Sequence, residues 1–198
     1  MKYKYASIDI ETLGLDPNTC DVIEIGVVLE DLVSPVESLP SLSFYVTYPG
    51  DNYKGNAYAM AMNAGILNAI GNRHSNEGCD KTFIPVDCVD EYMFGFFNRH
   101  GLFNKTQTQK ILAAGKNFSG FDLPFLKSIG VGNKGSKTRF HHRTVDPGSL
   151  FFNPKVDDVP PSLDVCLERS GIDKSVDHLA LNDAIDVIRV LRYQYEYV

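Results

Sequence analysis

Apolar and polar residues alternate through KYASIDI at residues 4–10. A period of two predicts a strand near Lys4–Ile10 whose successive side chains leave opposite faces. Asp9 and Glu11 then share one face, and Ile8 and Ile10 share the other. Apolar runs bounded by turn residues predict further strands near Asp21–Glu30, Leu42–Thr47, Lys110–Ala114 and Arg143–Val145. Elsewhere the spacing changes to three and four, predicting helices near Ala57–Ala69, Val86–Arg99, Leu123–Ile129, Pro161–Ser170 and Asn182–Tyr195. The last of these is the plainest, with Ala184, Val187, Ile188, Leu191 and Tyr195 on one face. The first three strands have short connections, which suits an antiparallel meander, and the later ones alternate with helices, which suits parallel crossovers. The expected architecture is α/β, a mixed five-stranded sheet flanked by helices, without internal repeats.

Composition adds limits to that picture. With 198 residues, 43% of them hydrophobic, the chain has material for one core, and residues 1–198 are expected to form a single domain. MKYKYASID leads directly into the first strand, and no apolar run approaches the length of a membrane span, so a soluble, cytoplasmic protein is expected. Cys20, Cys79, Cys88 and Cys166 are too scattered for a zinc site or a disulfide framework and are expected to be free, mostly buried thiols. A net charge of -6 argues against a protein that coats duplex nucleic acid, but not against one that grips a single strand end. Basic residues do gather locally, at Lys134, Lys137, Arg139, His141, His142 and Arg143, either as a phosphate contact or as a solvated loop.

The candidate chemistry lies in three distant segments. Two carboxylates side by side at the end of an apolar strand repel each other and resist desolvation, so Asp9 and Glu11 call for a positive partner, a divalent metal first of all. In KILAAGKNFSGFDLPFLKSIG a short strand and a glycine-containing turn lead to a helix opening at Asp122, with Pro124 tolerated in its first turn. By itself Asp122 reads as a helix N-cap. Asp183 starts the apolar face of the last helix. His178, five residues earlier, would diverge from it by roughly 140° on a common helix. To share a site His178 must stand on the preceding loop, where it suits a general base; alone, it reads as a surface histidine. Gly130, Gly132 and Gly135 spell a dinucleotide fingerprint but follow a helix and lead into a loop, which is the wrong context. Asp186 reads as solvated, Glu24 as a support on the adjacent strand, and Asp146, before Pro147, as a turn residue.

Taken in order, IDIETLGLD with DVIEIGVVLED, GKNFSGFDLPFL, TVDPGSLF with SLDVCLERSGI, and His178 followed by Asp183 resemble the motifs of the DEDDh 3′-to-5′ exonuclease superfamily. The resemblance covers most of the chain and is nearest to the ribonuclease T, oligoribonuclease and polymerase proofreading branches. It implies a ribonuclease H-like fold, with which the element order agrees. It also implies a two-metal-ion exonuclease that releases nucleoside 5′-monophosphates from the 3′ ends of single-stranded DNA or RNA. The catalytic set would be Asp9, Glu11, Asp122, His178 and Asp183. Of these Asp9, Glu11, Asp122 and Asp183 would hold two Mg²⁺ or Mn²⁺, and His178 would take a proton from water. From their positions, Thr12, Leu13, Asn117 and Phe121 are candidate substrate contacts, Leu13 as a wedge against the terminal base, whereas Phe118 reads first as core. A homodimer or a polymerase is the partner the resemblance suggests. Two other functions fit the same motifs: a non-catalytic module binding strand ends or a polymerase, and a phosphodiesterase acting on dinucleotides. The stretches from Val33 to Arg73 and from Val131 to Arg143 depart from a compact member of the superfamily and bear on substrate choice.

Overall fold

The computed structural model describes residues 2–75, 81–102, 110–134, 137–172 and 179–196. Strand β1 (Tyr5–Thr12) pairs antiparallel with β2 (Val22–Glu30), which pairs antiparallel with β3 (Ser41–Thr47), giving the expected meander. Two short helices follow, α1 (Ala57–Met62) and α2 (Ala64–Gly71), where the periodicity predicted one. The break falls at Asn63, whose backbone caps α1 while its Nδ2 donates to the carbonyls of Ala59 and Thr12. That pull toward Thr12 ties the helix pair to the end of β1. Strand β4 (Phe83–Pro85) then runs parallel to β3, and a 3₁₀ turn leads into α3 (Val89–Arg99).

Strand β5 (Ala113–Ala114) lies parallel to β1 and completes a sheet of order β4-β3-β2-β1-β5. The mixed five-stranded sheet is therefore as expected, but its fifth strand is β4. Residues 143–145 meet β5 only through a bridge between Val145 and Ala114, because His141 Nδ1 accepts the Arg143 amide at 3.0 Å and takes it out of any ladder. After β5 come α4 (Asp122–Ser128), a hairpin of β6 (Asn133–Lys134) and β7 (Lys137–Thr138), α5 (Pro147–Phe151), α6 (Leu163–Arg169) and α7 (Ala180–Glu196).

The pleat of β1 sorts its side chains as the alternation requires. Ala6, Ile8 and Ile10 face a core built with Phe94 and Phe97 of α3 and Phe125 of α4. Tyr5 faces a second core, built with Leu163 and Leu167 of α6 and Val187, Ile188 and Leu191 of α7. Every residue of β2 is buried, since helices cover both of its faces. Burial of these aliphatic and aromatic side chains, each contributing roughly 1.5–3 kcal/mol, is what holds the helices to the sheet. Tyr195, predicted on the buried face of α7, is 46% exposed near its C-terminus. Among the described cysteines Cys166 is buried, Cys20 is half-buried and Cys88 is exposed, so burial is the exception where the sequence suggested it as the rule. Among the described residues no helix is long and apolar enough to cross a membrane.

Candidate active site

Asp9 and Glu11 leave β1 on the face covered by α7, and Asp183 sits in the first turn of that helix. One carboxylate oxygen from each of the three lies within 4.8 Å of the others. Hard anionic oxygens at this spacing fit a small divalent cation, which Asp9, Glu11 and Asp183 would hold. Opposite Asp9 on β2 stands Gly26, and a Cβ there would overlap the Ala180 carbonyl and the Leu181 nitrogen. The missing side chain lets the start of α7 rest on the strand pair and brings Asp183 to Asp9.

Asp122 is not one of the three acids within 4.8 Å of one another, but it reaches β1 beside them and its charge acts on Asp9. The amide of Ala6 points toward β5, donating to the Leu112 carbonyl at 3.0 Å. By strand alternation the Ile10 amide points the same way. The pairing with β5 ends at Ser7, so the Ile10 amide has no strand partner and donates to the Asp122 carboxylate instead. Asp122 is the first residue of α4, with Phe121 in the capping position and no side-chain cap bond. The N-cap reading is thus replaced by one in which this buried carboxylate reaches across to β1.

The electrostatics of the cluster are strained in the direction a cation relieves. Burial, then the charges of Asp122, Asp183, Glu11 and Glu24, push the Asp9 carboxyl well above the ordinary range. Burial pushes Asp122 up to about 8, against the lowering effect of the amides of Asp122 and Ile10. Carboxylates that cannot all ionise together become compatible once a positive charge stands among them.

The remaining predicted residues separate into those near the site and those used elsewhere. Thr12 is buried, its hydroxyl donating to the Gly14 carbonyl at 2.7 Å. Leu13 is fully buried among Ile23, Tyr45, Ile66 and Ile70, and its amide donates to the Asp21 carbonyl at 2.9 Å. It presents neither a wedge nor a free donor, because the turn after β1 folds inward at that residue. Leu15, which sequence reasoning missed, is 83% exposed on the same turn. An apolar residue just ahead of the polar turn DPNT was the signal for it.

Asn117 is exposed, with a left-handed φ of 56°, and its amide donates to Asp146 Oδ2 at 3.1 Å. Asp146 also caps α5 by accepting the Gly148 amide, which agrees with its reading as a turn residue and adds an anchor for the 117–121 loop. Phe121 is half-buried against Phe125, and Phe118 is core. Asp186, expected in solvent, is fully buried and paired with Arg189 at 3.0 Å. In the basic segment Arg139 pairs with Asp90 and stacks on Phe94, so its charge serves the fold. His178 and Cys79 lie outside the described residues.

No protein-family model matches the sequence, and comparison with curated proteins finds no match. Solved structures do match. The nuclease domain of 3′hExo, a DEDDh family member bound to rAMP, superposes with a TM-score of 0.66 at 18% identity, over 98% of this chain and 92% of that one. S. pombe Pop2p, with Mg²⁺ and Mn²⁺ bound, gives 0.65 at 14% identity over 98% and 84%. E. coli Exonuclease I, in complex with a dT13 oligonucleotide, gives 0.65 at 13% over all of this chain and 41% of that one. The chain thus has a DEDDh exonuclease-like, ribonuclease H-like fold.

Proposed function

We propose that the protein is a metal-dependent 3′-to-5′ exonuclease acting on single-stranded nucleic acid, with residues 1–198 serving as one exonuclease domain. The observation that carries the proposal is the meeting of Asp9, Glu11 and Asp183, from the first strand and the last helix, within 4.8 Å. Such a convergence of one buried and two half-buried acids costs stability and has no structural purpose that apolar residues would not serve better. Structures of the same fold carry Mg²⁺ and Mn²⁺, a dT13 oligonucleotide and rAMP, which supports a cation, a single strand and a nucleoside monophosphate here.

In this reading Asp9, Glu11, Asp122 and Asp183 would hold two Mg²⁺ or Mn²⁺. Those cations, when bound, supply Lewis-acid stabilisation of charge at the phosphate and a water of lowered pKa. His178 takes the proton of the attacking water. Leu15, the exposed leucine of the turn after Glu11, contacts the terminal base in place of Leu13. Asn117 and Phe121, on the loop before Asp122, border the strand. Stacking and apolar contact tolerate any base, which suits an enzyme that trims without regard to sequence.

A time course on 5′-labelled single-stranded DNA and RNA, with Mg²⁺, with Mn²⁺ and with chelator, tests the proposal. A ladder shortening from the 3′ end only with metal is expected. Strand binding without any cleavage would instead assign the chain to a non-catalytic end-binding module.

A further inference from the structure

We infer that Glu24 is a positioning residue: by accepting the first amide of α7 it sets where Asp183 stands relative to Asp9 and Glu11. The inference rests on the metal-binding reading of the site. Glu24 is 1% exposed and lies directly across the antiparallel pair from Glu11. A buried carboxylate opposite another of like charge is unfavourable unless donors compensate it. The donors are present. Glu24 Oε2 accepts the Ala180 amide at 3.2 Å, and Oε1 accepts the Ser43 hydroxyl, from β3, at 3.3 Å.

Ala180 is the first residue of a seventeen-residue helix, so its amide has no carbonyl partner within the helix and lies at the positive end of the dipole. Glu24 therefore caps α7 from another strand, far away in sequence. Two residues along β2, Gly26 leaves the space in which the Ala180 carbonyl sits. Strand β2 thus supplies both an attraction and a vacancy for the same turn of helix. Asp183 is three residues beyond Ala180, within one turn, so any displacement of that turn is passed to its carboxylate. With Oε1 and Oε2 turned to Ser43 and Ala180, Glu24 orients the neighbouring acids, in the manner of groups that fix metal ligands from behind.

Two conservative variants separate this role from a simple contribution of charge. E24D keeps the charge but is one methylene too short to reach Ala180. E24Q loses the charge but keeps an oxygen acceptor at full reach. Mn²⁺ affinity, read by electron paramagnetic resonance on the whole chain, is expected to fall about 10-fold in E24D, the usual scale for such support. E24Q is expected to stay close to wild type. Exchange of the Ala180 amide, followed by NMR, is expected to quicken in E24D alone. The opposite order would overturn the inference in favour of a charge effect, and wild-type affinity in both variants would overturn it outright. Both readouts use no nucleic acid. A protein that shows the expected order yet cuts no strand would leave the inference standing and overturn the exonuclease proposal, whereas a wild type that binds no Mn²⁺ would overturn both.

Discussion

Leu13 and Leu15 stand two residues apart in one turn and meet opposite surroundings, one fully buried and one 83% exposed. Leu13→Ala is expected to destabilise the fold by about 2–5 kcal/mol, the cost of emptying a packed site, measured by urea unfolding. Leu15→Ala is expected to leave the unfolding midpoint in place and to raise KM for single strands. Removal of a carboxylate acts on chemistry: Asp9→Ala and Asp183→Ala should each abolish metal-dependent turnover while the circular dichroism spectrum stays native, and wild-type turnover in either would refute the metal assignment. His178→Ala is expected to slow turnover by about 10²- to 10⁴-fold, the range for a general base; an unchanged rate would remove it from the mechanism. At this scale the acids were legible because chemistry restricts residue type. The spacing of Asp9 and Glu11 suggested a cation only weakly, and the resemblance of the motifs is what joined Asp183 to them, whereas the inward fold of the turn at Leu13 depends on contacts with Ile66 and Ile70 that no local pattern records.

Elements with many repeats of their period were equally legible. β1, β2 and α7 lie close to where alternation and helical spacing placed them. Short elements escaped, among them β6, β7 and α5. β4 has three residues, too few for a period to show, and the division between α1 and α2 arises from a bond between Asn63 and the distant Thr12 carbonyl. The seating of α7 on the sheet likewise depends on tertiary contact, at Gly26. Gly26→Ala forces a methyl group into the backbone of Ala180 and Leu181. Overpacking of this kind costs about 1–3 kcal/mol. The variant is expected to lower the melting temperature and weaken Mn²⁺ binding together; loss of stability with metal affinity intact would show that α7 can shift without moving Asp183.

Across the whole molecule, acid sensitivity is expected from carboxylates outside the acidic cluster. Hydrogen bonds from the Arg169 side chain and the Asn153 amide hold Asp157 down at about 2. The amides of Ser34 and Val33, with the Ser34 hydroxyl, do the same for Asp31. A carboxyl depressed in the folded state gives stability that is present in full above its unfolded value, near 4, and is lost as pH falls toward 2. The melting temperature should therefore drop between about pH 4 and pH 2, and Asp157→Asn should flatten that drop. An unaltered profile in the variant would assign acid sensitivity elsewhere.

The distance along the chain between Asp9 and Asp183 also has a temporal meaning. A ribosome delivers β1 well before α7, so Asp9 and Glu11 are synthesised long before the Asp183 that meets them. On the exonuclease proposal, cleavage would have to await the docking of α7, which brings Asp183 to Asp9 and Glu11.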